Sequence, residues 1–147
     1  MPNQGLEIFD RTLQKTHEWL NDIMKLLNWN DRQKAYTALR GTIQALRDRL
    51  PNEVAVKFGA QLPMLVRGFY YEGWKPSIAP VKVKSSEDFV DFISSHLNSV
   101  HLEDETDREQ VVRAVLQVIA KHVSEGEIEL IKQVLPRSLA LLWPASS

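Results

Sequence analysis

Leu6, Phe9, Leu13, Thr16, Leu20, Ile23 and Leu27 recur at alternating spacings of three and four residues. That period draws one mostly apolar stripe along a helix running from about Leu6 to Asn28, while Lys15, Glu18, Asp22 and Lys25 fall off it. The pattern predicts an amphipathic helix whose stripe faces a core. A second helix begins after Asn30, a good N-cap, with Gln33 placed to complete a capping box. Tyr36, Leu39, Ile43, Leu46 and Leu50 form its buried face, and Pro51 stops it. Asn52 to Gln61 reads as a short helix on Val54, Ala55, Phe58 and Leu62. Pro63 marks a kink or restart, tolerated at a first helical position, and the helix Met64–Tyr71 ends before Gly73. Lys75 to Lys84 contains two prolines and no helical period, so it reads as a linker, with Val81 and Val83 able to pair briefly as strand.

Three more helices follow. Ser85 or Ser86 caps the first, which buries Phe89, Val90, Ile93 and Leu97. Thr106–Glu109 forms a capping box ahead of Val111, Val112, Val115, Ile119 and Val123. Ser124–Glu127 forms another ahead of Ile128, Leu130, Ile131 and Leu135. Pro136 kinks or restarts the chain, which continues over Leu139 to Trp143 and closes at Pro144. The predicted class is all-α.

The order of these elements repeats. Trp19-Leu20, Ile23 and Leu27-Asn28 align with Phe89-Val90, Ile93 and Leu97-Asn98. Asp31-Arg32, Ala38-Leu39 and Ile43 align with Asp107-Arg108, Ala114-Val115 and Ile119. Leu62-Pro63 with Val66 and Tyr70 aligns with Leu135-Pro136, Leu139 and Trp143. Periodicity alone does not place prolines, so the second Leu-Pro argues for duplication. Each half is too small to bury much by itself. The expected architecture is two pseudo-symmetric helical halves of about three to four helices each, residues 1–74 and 85–147, joined by the linker 75–84 and sharing one core.

The Asp48-Arg-Leu-Pro51 and Gly59-Ala-Gln-Leu-Pro-Met-Leu-Val-Arg-Gly-Phe-Tyr-Tyr-Glu-Gly-Trp74 blocks are the most distinctive parts of the chain. With Gly5-Leu-Glu-Ile-Phe-Asp10 and the Asp31–Arg40 segment, they resemble the bacterial family catalogued as domain of unknown function 2267. The resemblance spans essentially the whole chain, most strongly Leu6 to Trp74. It implies a small, helical, duplicated bacterial protein, and it supplies no catalytic residue, cofactor or activity to carry over.

Composition narrows the chemistry. The 147 residues contain no cysteine, which excludes disulfides, thiol catalysis and cysteine-bound metals and suits a cytoplasmic protein. The start MPNQGLEIFD lacks the basic and apolar regions of a signal peptide, and runs such as Leu139–Trp143 are far too short to span a bilayer. The net charge of −1 conceals an asymmetry. Residues 1–84 carry 13 basic and 8 acidic groups, a net of +5, whereas residues 85–147 carry 5 basic and 11 acidic, a net of −6. Opposite fields of this kind favour docking of halves or head-to-tail association of chains.

No phosphate-binding loop, zinc-binding His-Glu-x-x-His or nucleophile elbow is present. Ser94, Ser95 and His96 are neighbours on a helix and point apart. His122 falls within the broad apolar arc of its helix, where a hydrogen-bonded core or margin histidine is expected rather than a ligand. His96 and His101 with Glu103, Asp104 and Glu105 form a metal-capable cluster at a spacing that matches no zinc motif. The reading is therefore of a non-enzyme with no catalytic residue, cofactor or resident metal. The best functional candidate is the aromatic segment Phe69, Tyr70, Tyr71 and Trp74, because consecutive residues on a helix cannot all enter one core face. Arg40 and Arg47 flank the stripe of the second helix as further interface candidates. The expected partner is a protein or a second copy of the chain. Nucleic acid held by Arg40, Arg47, Arg49, Lys82 and Lys84, or a small ligand between the halves, are the alternatives.

Overall fold

A computed structural model describes residues 5–78, 80–95 and 105–145. The fold is all-α. Among the described residues eight α-helices follow in chain order: α1 (Glu7–Leu27), α2 (Arg32–Arg49), α3 (Asn52–Gly59), α4 (Met64–Tyr71), α5 (Ser86–Ser94), α6 (Glu105–His122), α7 (Glu125–Val134) and α8 (Arg137–Ala140). A 3-10 turn covers Pro76–Ile78. Among the described residues there is no strand, and the Val81/Val83 alternation pairs with no other segment as sheet. Instead, Val81 N–H donates to the Asp48 carbonyl at 2.8 Å and Arg49 Nε donates to the Val83 carbonyl at 2.6 Å. The linker is thereby pinned along the end of α2.

α2 is the central helix. It packs against α1, α4, α5 and α6, and every residue from Gly41 to Arg47 is buried. A helix covered on all sides places its polar residues inside too. Its N-cap is Asp31, whose carboxylate accepts from Lys34 N–H at 3.3 Å, rather than the expected Asn30. Both residues are good caps. The carboxylate additionally favours the positive end of the helix dipole. Ser85 caps α5 and Ser124 caps α7, each accepting from the backbone N–H three residues on, Asp88 and Glu127. The capping box expected at Thr106–Glu109 rests on Thr106, whose side chain lies outside the described residues.

The two Leu-Pro steps do the same thing. Pro63 and Pro136 sit just before α4 and α8 rather than at their first positions, with φ,ψ of −55°,150° and −56°,150°. Their carbonyls accept the first bonds of the new helices, from Arg67 at 2.8 Å and Ala140 at 3.0 Å. Each proline therefore starts a new helix, Pro63 after the turn 60–62 that follows α3 and Pro136 two residues past the end of α7.

Around α2 the remaining helices close one hydrophobic cluster that runs from Trp19 to Trp143 and draws residues from both halves of the chain. α1 lies on α2, α4 and α6; α5 lies on α2, α6 and α8; α3 meets α4 and α7, and α7 meets α8. α1 departs from expectation along part of its length. Thr16, Trp19, Leu20 and Ile23 are buried, but Leu6, Phe9 and Leu13 on the same stripe are 61%, 52% and 46% exposed. The first turns of α1 run past the body, so their apolar face has no core to meet.

One cross-half contact carries a pH signature. The Asp22 carboxylate on α1 accepts from His122 Nε2 at 2.8 Å and from Lys121 Nζ at 3.1 Å on α6, and the His122 ring stacks on Trp19 with centroids 5.0 Å apart. Burial pushes the Asp22 carboxyl up, but the hydrogen bonds and charges of His122 and Lys121 outweigh it and hold the group below its ordinary value of 3.8. A depressed native value contributes stability above the unfolded value and loses it as pH falls through the native one. Asp22→Asn should therefore be less stable than the parent at pH 7, with a gap that narrows below about pH 4. Urea midpoints measured at both ends of that range check the sign; a gap that stays constant down to pH 2 would show that the carboxylate charge does not hold α1 to α6.

Candidate functional site

The aromatic segment is mostly interior. Tyr70 is 0% and Phe69 9% exposed. Phe69 meets the Tyr36 ring edge-on at 5.3 Å, and Tyr70 meets Phe58 edge-on at 5.4 Å. The Tyr70 hydroxyl donates to the Ala55 carbonyl at 2.6 Å, and burial, reinforced by Tyr71, pushes its pKa well above the ordinary tyrosine range. Tyr71 is half-buried, with its hydroxyl 3.4 Å from the Val56 carbonyl and its ring against Trp74 at 5.6 Å. This packing needs Gly59. A Cβ there would meet the Tyr71 hydroxyl, its Cζ at 2.7 Å and Tyr70 Cε2 at 3.0 Å. Phe69 and Tyr70 are thus core residues, closed to a partner, and the aromatic run serves to lock α4 onto α2 and α3.

The arginines divide in the same way. Arg47 is 4% exposed. Its Nη1 donates to the carbonyls of Tyr70 at 2.8 Å and Glu72 at 2.9 Å, and its Nε donates to Asp48 Oδ1 at 2.8 Å. Gln44 Nε2 donates to the Phe69 carbonyl at 2.7 Å. Together these side chains satisfy carbonyls that the end of α4 leaves without helical partners. Arg47 is accordingly a structural cation, not an outward one. Arg49 donates to the Val83 carbonyl, and burial lowers its pKa. Arg40 pairs with Glu72 at 3.3 Å on the surface, where such a pair contributes little. Three of the five cations proposed for phosphate are therefore engaged within the molecule.

The hydroxyls of Ser94 and Ser95 donate to their own helix, to the Val90 and Phe92 carbonyls at 2.8 and 2.6 Å. His96, His101, Glu103 and Asp104 lie outside the described residues, as does the Glu105 side chain. Among the described residues no group of three or more metal-ligating side chains occurs, and no helix is long and apolar enough to cross a membrane. His122 sits at the helix margin, bonded to Asp22 and stacked on Trp19.

What the linear pattern missed is a groove on the first half. Where α1 runs past the core, it passes α4, and the Thr12 hydroxyl accepts from Leu65 N–H at 2.9 Å, capping α4 from another helix. Beside that bond lies an open groove of about 280 Å³ lined by Ile8, Arg11, Thr12, Lys15, Leu62, Pro63, Met64 and Arg67. Ile8, Met64 and Leu65 are 49%, 47% and 42% exposed. Arg67 donates to the carbonyls of Gly59, Ala60 and Leu62 at the end of α3. Among the described residues neither Arg67 nor Lys15 pairs with a carboxylate. A second cavity, about 200 Å³ in volume, is lined by Ala120, Glu125, Ile128, Glu129, Lys132, Pro144 and Ala145. Each of these two cavities lies within one half rather than between the halves. The available sequence signals were the apolar residues that fall off a core stripe, Ile8 and Met64, but only the tertiary contact brings them together.

No curated protein matches the chain. A family model does, over residues 16–142, a span that starts where α1 enters the core and leaves the Gly5–Asp10 motif and the projecting turns outside it. With most of its length matched, the chain belongs to the family described as uncharacterized conserved protein (DUF2267).

Proposed function

We propose that the chain is a non-catalytic cytoplasmic helical module that works by binding another protein or a second copy of itself through the projecting face of α1. The observation that carries this reading is the uncovered stripe. Leu6, Phe9 and Leu13 continue the face that bears Trp19, Leu20 and Ile23, and further round the same helix Ile8 joins Met64 in lining the groove against α4. Large apolar patches left open to water mark interaction surfaces in soluble proteins. Single exposed apolar residues need no explanation; three in one helical register, with an apolar groove on the same helix, do.

The order of helix contacts supports the duplicated architecture within the same reading. α1 with α2, α4 and α6 has its counterpart in α5 with α6, α8 and α2, as exchange of two related halves requires. The projecting turns of α1 have no counterpart in α5, which starts at Ser86. They are an addition to the repeated unit, and an addition is where a docking role is free to reside.

The test is covalent capture in the cell. A photo-cross-linking residue placed at Phe9 or Leu13 should yield discrete adducts, either heterologous or of twice the chain's mass. The same residue at Gln14, an exposed position off that stripe, should yield none. If Phe9 and Leu13 give no more adduct than Gln14, the projecting face is not covered and the reading fails.

A further inference from the structure

Building on that docking face, we propose that the groove between α1 and α4 seats an amphipathic helix of a protein partner whose flanks are acidic. The floor is apolar, made by Ile8, Leu62, Pro63 and Met64, while the charged groups lining it are Arg11, Lys15 and Arg67, with no carboxylate among the lining residues. Glu7 pairs with Arg11 at 2.9 Å and offsets part of its charge. Lys15 and Arg67 keep theirs. An apolar floor between cations fits a helix with an apolar face bordered by Asp or Glu. The projecting wall of α1 from Leu6 to Lys15 is about 15 Å long at the helical rise, which accommodates between two and three turns of such a helix. A two-fold contact between copies of the groove would instead set its cations against their own equivalents, a repulsive arrangement.

The test uses the full chain and labelled synthetic peptides about 18 residues long, enough to form helix in solution. All carry leucines at i, i+3, i+4 and i+7, as helix-in-groove recognition requires. One is flanked by Glu, one by Lys, and one scrambles the Glu peptide to remove the period. In fluorescence anisotropy at about 50 mM salt, the Glu-flanked peptide should bind about tenfold more tightly than the Lys-flanked one, and the preference should shrink as salt is raised. On the protein, Met64→Glu and Lys15→Glu should each weaken the Glu-flanked peptide about tenfold while Gln14→Glu leaves it unchanged. Met64 is 47% exposed, so its variant stays folded, and circular dichroism verifies this.

Equal binding of the Glu- and Lys-flanked peptides, or of the scrambled one, overturns the proposal. So does binding of dodecanoate in calorimetric titration with no binding of any peptide, which would assign the groove to a small apolar anion. Dimerisation in sedimentation velocity that Met64→Glu abolishes would assign it to a second copy. Cross-linking at Phe9 without an acidic preference leaves the docking reading standing and removes only the partner's charge; absence of cross-linking removes both.

Discussion

Tyr70→Ala is expected to lower folding stability by about 3–5 kcal/mol, the range for truncating a fully buried aromatic ring. The ring is 0% exposed and touches both Phe58 and Tyr71. Its hydroxyl also ties α4 to α3 through the Ala55 carbonyl. Truncation removes the ring contacts, opens a cavity and deletes that bond together. Tyr70→Phe isolates the last of these and should cost about 1 kcal/mol. Phe9→Ala supplies the contrast. That ring is 52% exposed, and its loss should change stability by no more than about 0.5 kcal/mol. Urea unfolding of the three variants ranks them, and a Tyr70→Ala protein as stable as Phe9→Ala would put the Tyr70 ring outside the core.

The same contrast explains what was legible in the sequence. A hydrophobic period reports which face of a helix is apolar, and so the helices were readable, α4 to its exact bounds at Met64 and Tyr71. Prolines report where a chain cannot continue, so the restarts at Pro63 and Pro136 were readable too. Neither signal says whether anything lies across an apolar face. Leu6, Phe9 and Leu13 obey the same period as Leu20 and Ile23, yet only the latter are buried. The aromatic run misled for the opposite reason. Three consecutive rings cannot share one face, but α4 is enclosed by α2 and α3 on more than one side, so Phe69 turns to Tyr36 while Tyr70 turns to Phe58. The groove was illegible because its two walls are some fifty residues apart in the chain, and the bond joining them, Leu65 N–H to the Thr12 hydroxyl, leaves no local pattern.

Arg47 gives the second large effect, and for a reason its spacing concealed. On a helical wheel it flanks the apolar stripe of α2, where an arginine is ordinarily solvated. In the Gly41–Arg47 stretch, buried on every side, that position is interior, and the guanidinium persists there because its planar fork meets the Tyr70 and Glu72 carbonyls and the Asp48 carboxylate at once. Arg47→Met keeps much of the volume but strands the Tyr70 carbonyl, leaves the Glu72 carbonyl only the long 3.5 Å bond from Gln44 Nε2, and deprives Asp48 of its partner. The expected loss is about 3–5 kcal/mol, as for other buried pairs broken from one side. Arg47→Lys retains the charge but has a single ammonium in place of a fork, so it should recover only part of that loss. Gln44→Leu removes the neighbouring bond to the Phe69 carbonyl, and because both side chains cap one helix end, the double variant should lose less than the two single losses added. Denaturant midpoints for the four proteins, with amide exchange following α4, read the whole cycle. If Arg47→Met unfolds at the parent's denaturant concentration, water replaces these bonds freely at the end of α4. The guanidinium would then be free to turn outward, and Arg47 would rejoin Arg40 among the side chains within reach of an outside partner.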